Sequence, residues 1–198
     1  MLFQTTLSTM KTQEQINSIK AVVLYVLQSF KEGVDYIKLF KIMYFAQRKY
    51  LATYGLPVVE DTFKARPLGP VPSLTYKVVK MVENGDSMTE CPDLVEFAQS
   101  LRVDKNQMVY ATVTPDLDYI AVMERKVLDE TIAQYRDISS EQLSELSHDS
   151  IYDQVVERMK DDPQKDVYTL IDIARSGNAS DEMIEYLREK QIIKKALA

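Results

Sequence analysis

Apolar side chains recur on almost every turn between Ile37 and Leu51, and only five strongly polar residues interrupt them. A helix that is apolar on most sides is buried among other elements. We therefore predict a central helix here. Asp35 is placed to cap its start, and Gly55 is placed to end it because glycine reaches the left-handed conformation without strain.

The segment before this helix is apolar on one side only. Thr12 and Gln15 have the spacing of a capping box, and apolar residues follow at intervals of three and four. This pattern predicts an amphipathic helix that opens at Thr12 and is stopped by Gly33.

Short strands are expected between the helices. Residues 63–66 predict a strand, and Pro70 and Pro72, which lack amide donors, suit a turn and the first turn of a helix over 73–83. Residues 108–113 are rich in Val, Tyr and Thr and predict a second strand. That strand pairs either with residues 63–66 or, as a hairpin, with residues 101–103.

Helical patterns dominate the rest of the chain, over residues 94–101, 116–135, 139–146, 155–160, 167–175 and 180–195. Asp161-Asp162-Pro163 breaks this series, so we predict a domain over 12–160 and a C-terminal helical extension over 161–198. The extension covers its own domain, a symmetry mate or a partner. The expected class is α+β and predominantly α, with a small two- or three-stranded antiparallel sheet.

The last five residues, from Lys194 to Ala198, follow a helix with no Gly or Pro stop. We expect them to fray. Such an end is either an ordinary terminus or, with Leu197 exposed, a handle for an energy-dependent protease.

Composition narrows the class of protein. A chain of 198 residues with 45% hydrophobic content can bury one substantial core. Its single cysteine, Cys91, allows no internal disulfide and no multi-cysteine zinc site, which fits a reducing cytoplasm. The sequence shows no secretory signal and no apolar run long enough for a membrane span.

Charge is distributed unevenly along the chain. Residues 31–80 carry nine Lys/Arg and four Asp/Glu, whereas residues 81–150 carry five Lys/Arg and fifteen Asp/Glu. Seven basic residues could form one face: Lys38, Lys41, Arg48, Lys64, Arg66, Lys77 and Lys80. This face is either a solvated surface neutralised by the acidic half or a docking surface for a partner protein.

Two motifs carry a family resemblance. Residues 38–71 follow the pattern KLxKxxYFAQxxYLxxYGxPxxxDxFxAxxxGPV, which resembles the opening signature of the SocA-like antitoxin domain, also called the Panacea domain. Residues 143–148, Leu-Ser-Glu-Leu-Ser-His, are similar to the motif that closes this domain, with Ser147 where Thr is more usual. The resemblance covers roughly residues 12 to 158, and Tyr152 takes the place of the aromatic residue after the histidine.

The resemblance implies a function that the residues alone do not. It implies a cytoplasmic antitoxin of bacterial or phage origin that binds a cognate protein toxin, encoded next to it, without a cofactor or a reaction. Whether the chain also forms a homo-oligomer is left open. The motif residues with an implied structural role are Tyr44, Tyr50, Gly55, Gly69, Pro70, Leu143, Leu146 and His148.

Catalysis has little support in the sequence. His148 is the only histidine, and its polar neighbours Ser147 and Asp149 are adjacent in sequence and so do not face one another on a helix. We expect His148 to satisfy a helix end or to pack near Tyr152. Cys91 lacks a nearby base and is expected to be an inert thiol. No metal site is predicted.

DNA binding is the alternative class of function. Residues 139–152 could begin a helix-turn-helix whose second helix is 151–160, giving a transcriptional regulator of helix-turn-helix or winged-helix type. That helix offers only Arg158 and Lys160 as cations, and the sequence pI is about 5.0. Phosphate binding requires clustered cations, so nucleic acid is a less favoured partner.

Overall fold

The computed structural model describes residues 11–86 and 91–196. The described part of the predicted 84–93 loop ends at Asp86 and resumes at Cys91, and the predicted protease handle at Leu197 and Ala198 lies outside the described residues. The helices are α1 Gln13–Leu27, α2 Tyr36–Tyr54, α3 Ser73–Asn84, α4 Val95–Gln99, α5 Val122–Tyr135, α6 Ser140–Leu146, α7 Ser150–Asp161, α8 Leu170–Ser176 and α9 Asp181–Ala196. The strands are β1 Val34–Asp35, β2 Phe63–Arg66, β3 Gly69–Pro72, β4 Leu101–Val103 and β5 Met108–Ala111. The predicted α+β, predominantly α class is confirmed.

Helix α2 is the centre of the fold, as predicted. Its side chains are buried along most of its length, and α1, α5, α6 and α8 all pack on it. The Asp35 carboxylate accepts a hydrogen bond of 3.0 Å from the Lys38 amide, which caps the helix. Gly55 ends the helix with a φ of 64°. Both ends of α2 are thus fixed by residues that local sequence identifies.

Helix α1 begins with the predicted capping box between Thr12 and Gln15. It ends at Leu27, however, and not at Gly33. The apolar face that packs on the core stops at Leu27, and the chain then turns, with the Phe30 amide donating to the Leu27 carbonyl at 2.9 Å. The helix therefore ends where its buried face ends.

The strands form two small antiparallel sheets, β2–β3 and β1–β5–β4. The predicted hairpin between residues 101–103 and the second strand is confirmed. The prediction that Pro70 lies in a turn and Pro72 in a helix was wrong, because both lie in β3, where Pro70 pairs with Ala65 and Pro72 with Phe63. A two-stranded sheet has only edge strands, where a missing amide donor is tolerated. Strand β1 was not predicted.

The C-terminal helices pack on the rest of the chain. Helix α8 contacts α2 and α7, and its Ile173 and Ala174 are buried in the same core as α2. Leu187 of α9 is buried there as well. The extension was expected to cover its own domain, a symmetry mate or a partner. Helix α8 packs on its own chain. The boundary at residue 160 stays a prediction. None of the helices over 11–86 and 91–196 is both long and apolar enough to cross a membrane.

Candidate functional site

Lys41 lies in the second turn of α2 and is only 1% exposed. Its Nζ donates a hydrogen bond to the carbonyl oxygen of Pro70 at 3.2 Å. Burial lowers the pKa of Lys41 to about 7. The prediction that Lys41 belongs to an exposed basic face was therefore wrong, because β3 and the α6–α7 turn cover this side of α2.

Gly69 allows strand β3 to lie close to Lys41. Its φ is 93°, a conformation that L-residues with a β-carbon rarely adopt. A β-carbon placed on Gly69 would lie 2.5 Å from the Lys41 Nζ and 3.3 Å from the His148 Cδ2. It would also overlap the Ser147 hydroxyl. Only glycine therefore lets β3 contact both α2 and the α6–α7 turn at this point.

The α6–α7 turn contributes Ser147 and His148. The Ser147 hydroxyl donates to the Ser144 carbonyl at 2.7 Å. The His148 ring stacks on Tyr152, with centroids 4.2 Å apart and planes inclined by 16°. Partial desolvation and then the charge of Lys41 lower the pKa of His148, against the opposing effect of nearby carboxylates. Packing on Tyr152 is one of the two structural roles considered for this histidine.

Two motifs far apart in sequence therefore meet at one place. Lys41, Gly69 and Pro70 come from the first motif, and Ser147 and His148 come from the second. We call these five residues the Lys41 site. Its contacts position a hairpin and a helix turn against a buried amine. The assignment of these residues to a functional site stays a prediction.

Tyr44, another motif residue, belongs to a polar network one turn beyond Lys41 along α2. The Tyr44 hydroxyl donates to the Ser176 hydroxyl at 2.9 Å, and Ser176 donates a short hydrogen bond to Asp149. Asp149 also caps α7 by accepting from the amides of Ile151 and Tyr152 at 3.0 and 2.9 Å. Burial raises the pKa of the Tyr44 hydroxyl. The network ties α2, α7 and α8 together.

Replacing Tyr44 by phenylalanine should destabilise the fold by about 1 kcal/mol, because the variant loses a buried hydrogen bond. The measurement is urea unfolding followed by circular dichroism. Tyr50→Phe is the matched control, since Tyr50 is a buried tyrosine of the same helix whose hydroxyl bonds no described residue. Equal losses in the two variants would contradict the role assigned to the Tyr44–Ser176 bond.

Two polar motif residues were missed as site residues. The Gln47 Oε1, on α2, accepts from the amides of Val58 and Val59 at 2.8 and 3.0 Å. It fixes the segment that follows Gly55. The sequence could have indicated Gln47, because a glutamine within a continuous apolar run is buried and its amide needs hydrogen-bond partners.

Asp61 was the second residue missed. Its carboxylate accepts from the amides of Leu74 and Thr75, each at 2.9 Å, and so caps the first turn of α3. This cap could not be predicted from local sequence, because the β2–β3 hairpin separates Asp61 from α3.

The remaining structural motif residues vary in burial: Tyr50 and Leu143 are buried, whereas Leu146 is 52% exposed.

Each of the other predicted basic residues contacts a group of the same chain. Lys38 donates to the Arg136 carbonyl at 3.0 Å. Arg48 lies over the Phe45 ring at 4.8 Å and 3.8 Å from the Asp149 carboxylate. Both cations therefore contact groups on neighbouring elements.

The predicted basic residues after α2 also contact groups of the same chain. Lys64 and Arg66 both pair with Asp166, at 3.2 and 2.8 Å. Lys80 pairs with Glu83 at 2.5 Å, and the Lys77 Nζ lies 3.1 Å from the Cys91 sulfur. Their role in partner binding stays a prediction.

The helix considered for DNA recognition is α7. Its Arg158 pairs with Asp172 at 2.8 Å, and its Lys160 pairs with Glu157 at 2.5 Å. Both cations thus have carboxylate partners within the chain. Over residues 11–86 and 91–196, no group of three or more His, Cys, Asp or Glu side chains is arranged to hold a metal ion.

Comparison with known proteins identifies the class. The sequence model of the family described as "Antitoxin SocA-like, Panacea domain" matches residues 39–152, which is more than half of the chain. The chain belongs to this family, as the two motifs predicted. The matched segment contains all five residues of the Lys41 site. No curated protein and no solved structure matches the chain.

Proposed function

We propose that this protein is an antitoxin that binds a protein toxin directly and holds it inactive in a stoichiometric complex. The family match over residues 39–152 carries the proposal. The toxin is expected to be encoded beside this chain, and the complex is expected in the cytoplasm of a bacterium or of a phage-infected cell.

The proposed action needs neither a cofactor nor a catalysed step. The groups at the Lys41 site with basic or nucleophilic chemistry each make a contact within the fold. Lys41 holds the Pro70 carbonyl, Ser147 holds the Ser144 carbonyl, and His148 stacks on Tyr152. Each of these groups thus has a structural contact, and the proposal assigns a reaction to none of them.

One candidate docking surface consists of the predicted basic residues other than Lys41: Lys38, Arg48, Lys64, Arg66, Lys77 and Lys80. Lys77 and Arg66 are the most accessible of them. Contacts between such cations and an acidic toxin surface would speed association more than they would raise affinity.

Neutralisation is tested by co-expression. The adjacent gene expressed alone should arrest growth, and co-expression of this chain should restore growth through a complex that survives size-exclusion chromatography. A non-toxic neighbour, or rescue without a complex, would contradict the proposal. A mobility shift of the chain's own promoter DNA, without rescue, would support the regulator alternative instead.

A further inference from the structure

An exposed surface beside the Lys41 site combines apolar and acidic side chains. Leu68, at the tip of the β2–β3 hairpin, and Leu146, the last residue of α6, are each 52% exposed. Each leucine directly precedes one of the two residues that contact one another at the site, Gly69 and Ser147. The chain segments that carry the two leucines therefore meet at this contact, which places both leucines beside the Lys41 site.

The stacked rings of His148 and Tyr152 extend this surface. The Tyr152 hydroxyl also donates to the Arg66 carbonyl at 3.1 Å, which joins α7 to the hairpin tip. The hairpin and the α6–α7 turn are thus held in a fixed relation. A partner that binds both would order few additional groups, which favours affinity.

Carboxylates border the apolar centre. Glu145 and Asp153 are near enough to His148 to act on its pKa, which they raise against the larger lowering effects. Glu141 lies one turn before Glu145 on α6, so the two share a helix face. All three carboxylates are exposed. None of them forms an ion pair with another described residue.

The contrast with the basic residues decides the sign of the surface. Lys80 pairs with Glu83, and Lys64 and Arg66 share the one carboxylate of Asp166, which leaves a single positive charge there. Glu141, Glu145 and Asp153 contribute three negative charges that no described residue pairs, so negative charge is in excess. Uncompensated surface charge attracts a partner of opposite sign. The charge of this surface therefore favours a basic partner.

We propose that this hairpin–turn surface, formed by Leu68, Leu146, His148 and Tyr152 and bordered by Glu141, Glu145 and Asp153, is where the toxin docks. The toxin presents an apolar patch bordered by lysine and arginine. The inference rests on the proposed function and specifies the surface and the chemistry of the partner. Interfaces of this kind place the apolar contacts that limit dissociation at the centre and the charges that steer association at the rim.

The first experiment tests the apolar centre. The product of the adjacent gene is the probe, and its binding to the full-length chain is measured by surface plasmon resonance. The double variant Leu68→Ser, Leu146→Ser should raise Kd about tenfold or more, mainly through faster dissociation. The matched control is Leu56→Ser, Leu117→Ser, which makes the same change at leucines that are 42% and 45% exposed elsewhere on the chain.

The second experiment tests the acidic border. The triple variant Glu141→Lys, Glu145→Lys, Asp153→Lys should slow association about tenfold at low salt, and the difference should shrink as salt is raised. Lys77→Glu, Lys80→Glu is the comparison variant, because it reverses charge on the predicted basic face. Circular dichroism of every variant checks that the fold is retained.

The outcomes separate the two proposals. Wild-type binding that both hairpin–turn variants leave unchanged, or that only the Lys77, Lys80 variant weakens, would overturn this surface and leave the antitoxin proposal intact. Loss of binding in the leucine control to the same degree would also overturn it. If the wild-type chain does not bind the probe, the proposed function fails, and the surface fails with it.

Discussion

Valine at position 69 should destabilise the fold by about 2 to 6 kcal/mol, the sum of two costs. The first is backbone strain, because the φ of Gly69 is 93°. The second is overlap, because the added side chain would enter the space held by the Ser147 hydroxyl and the Lys41 amine. Thermal unfolding followed by circular dichroism should show a Tm lowered by about 5 to 20 °C, for a chain of this size.

Gly85→Val separates these two costs. Gly85 has a φ of 67°, but a β-carbon there would meet no atom of residues 11–86 and 91–196 within 4 Å. The Gly85 variant should therefore suffer only the strain. If Gly69→Val costs no more than Gly85→Val, the close contact of β3 with the Lys41 site is disproved.

Removing the Ser147 hydroxyl should recover part of the stability that is lost when Gly69 is replaced. Ser147→Ala takes away the hydroxyl that a β-carbon at position 69 would overlap, so Gly69→Ala should cost less in that background than in the wild type. Additive effects of the two substitutions would place the obstacle elsewhere.

The elements that the sequence predicts well are those with local determinants. Asp35 and Gly55 lie next to the helix that they bound, so α2 could be predicted at both ends. The capping box at Thr12 likewise fixed the start of α1. The end of α1 depends on where its buried face stops, and so it was misplaced.

The β2–β3 hairpin shows a second limit. Pro70 and Pro72 are poor strand residues in a sheet interior, and local preference therefore assigned them to a turn and a helix. Their place in the sheet depends on β3 pairing with β2 alone among the described strands, which is a property of the tertiary fold. The start of α3 at Ser73 was still predicted, because a helix can follow Pro72 in either case.

The Lys41 site shows a third limit. Helical spacing correctly placed Lys41 on one face of α2, but it does not tell which element covers that face. The covering groups, Gly69 and Ser147, are far from Lys41 in sequence. The family motifs contained all of these residues, and only the fold brings them together. A buried lysine was therefore interpreted as an exposed one.

Burial of Lys41 should make the stability of the protein depend on pH. The folded state holds this lysine with a pKa of about 7, against an ordinary value of 10.5. Between these values the unfolded chain binds the additional proton, so the free energy of unfolding rises with pH. The contribution is complete above pH 10.5, falls as the pH is lowered and is lost below about 7. Its slope is about 1.4 kcal/mol per pH unit.

Lys41→Met should remove this slope, since methionine fills a similar volume without a titrating group. Urea unfolding at pH 7.5, 8.5 and 9.5 measures it above the range of His148, whose pKa is lowered from 6.5. That range also lies below the ionisation of Tyr44 and Tyr168, whose pKa values burial raises. The wild type should gain stability relative to the variant across the three measurements.

Lys38→Met is the matched control. Lys38 lies on the same helix and also donates to a backbone carbonyl, that of Arg136, but its side chain is only half-buried. This variant should keep the wild-type slope, because it leaves the buried Lys41 amine in place. Parallel curves for the wild type and Lys41→Met would mean that the folded protein keeps Lys41 charged up to high pH. The amine would then have access to water, and the hairpin would not seal it against α2.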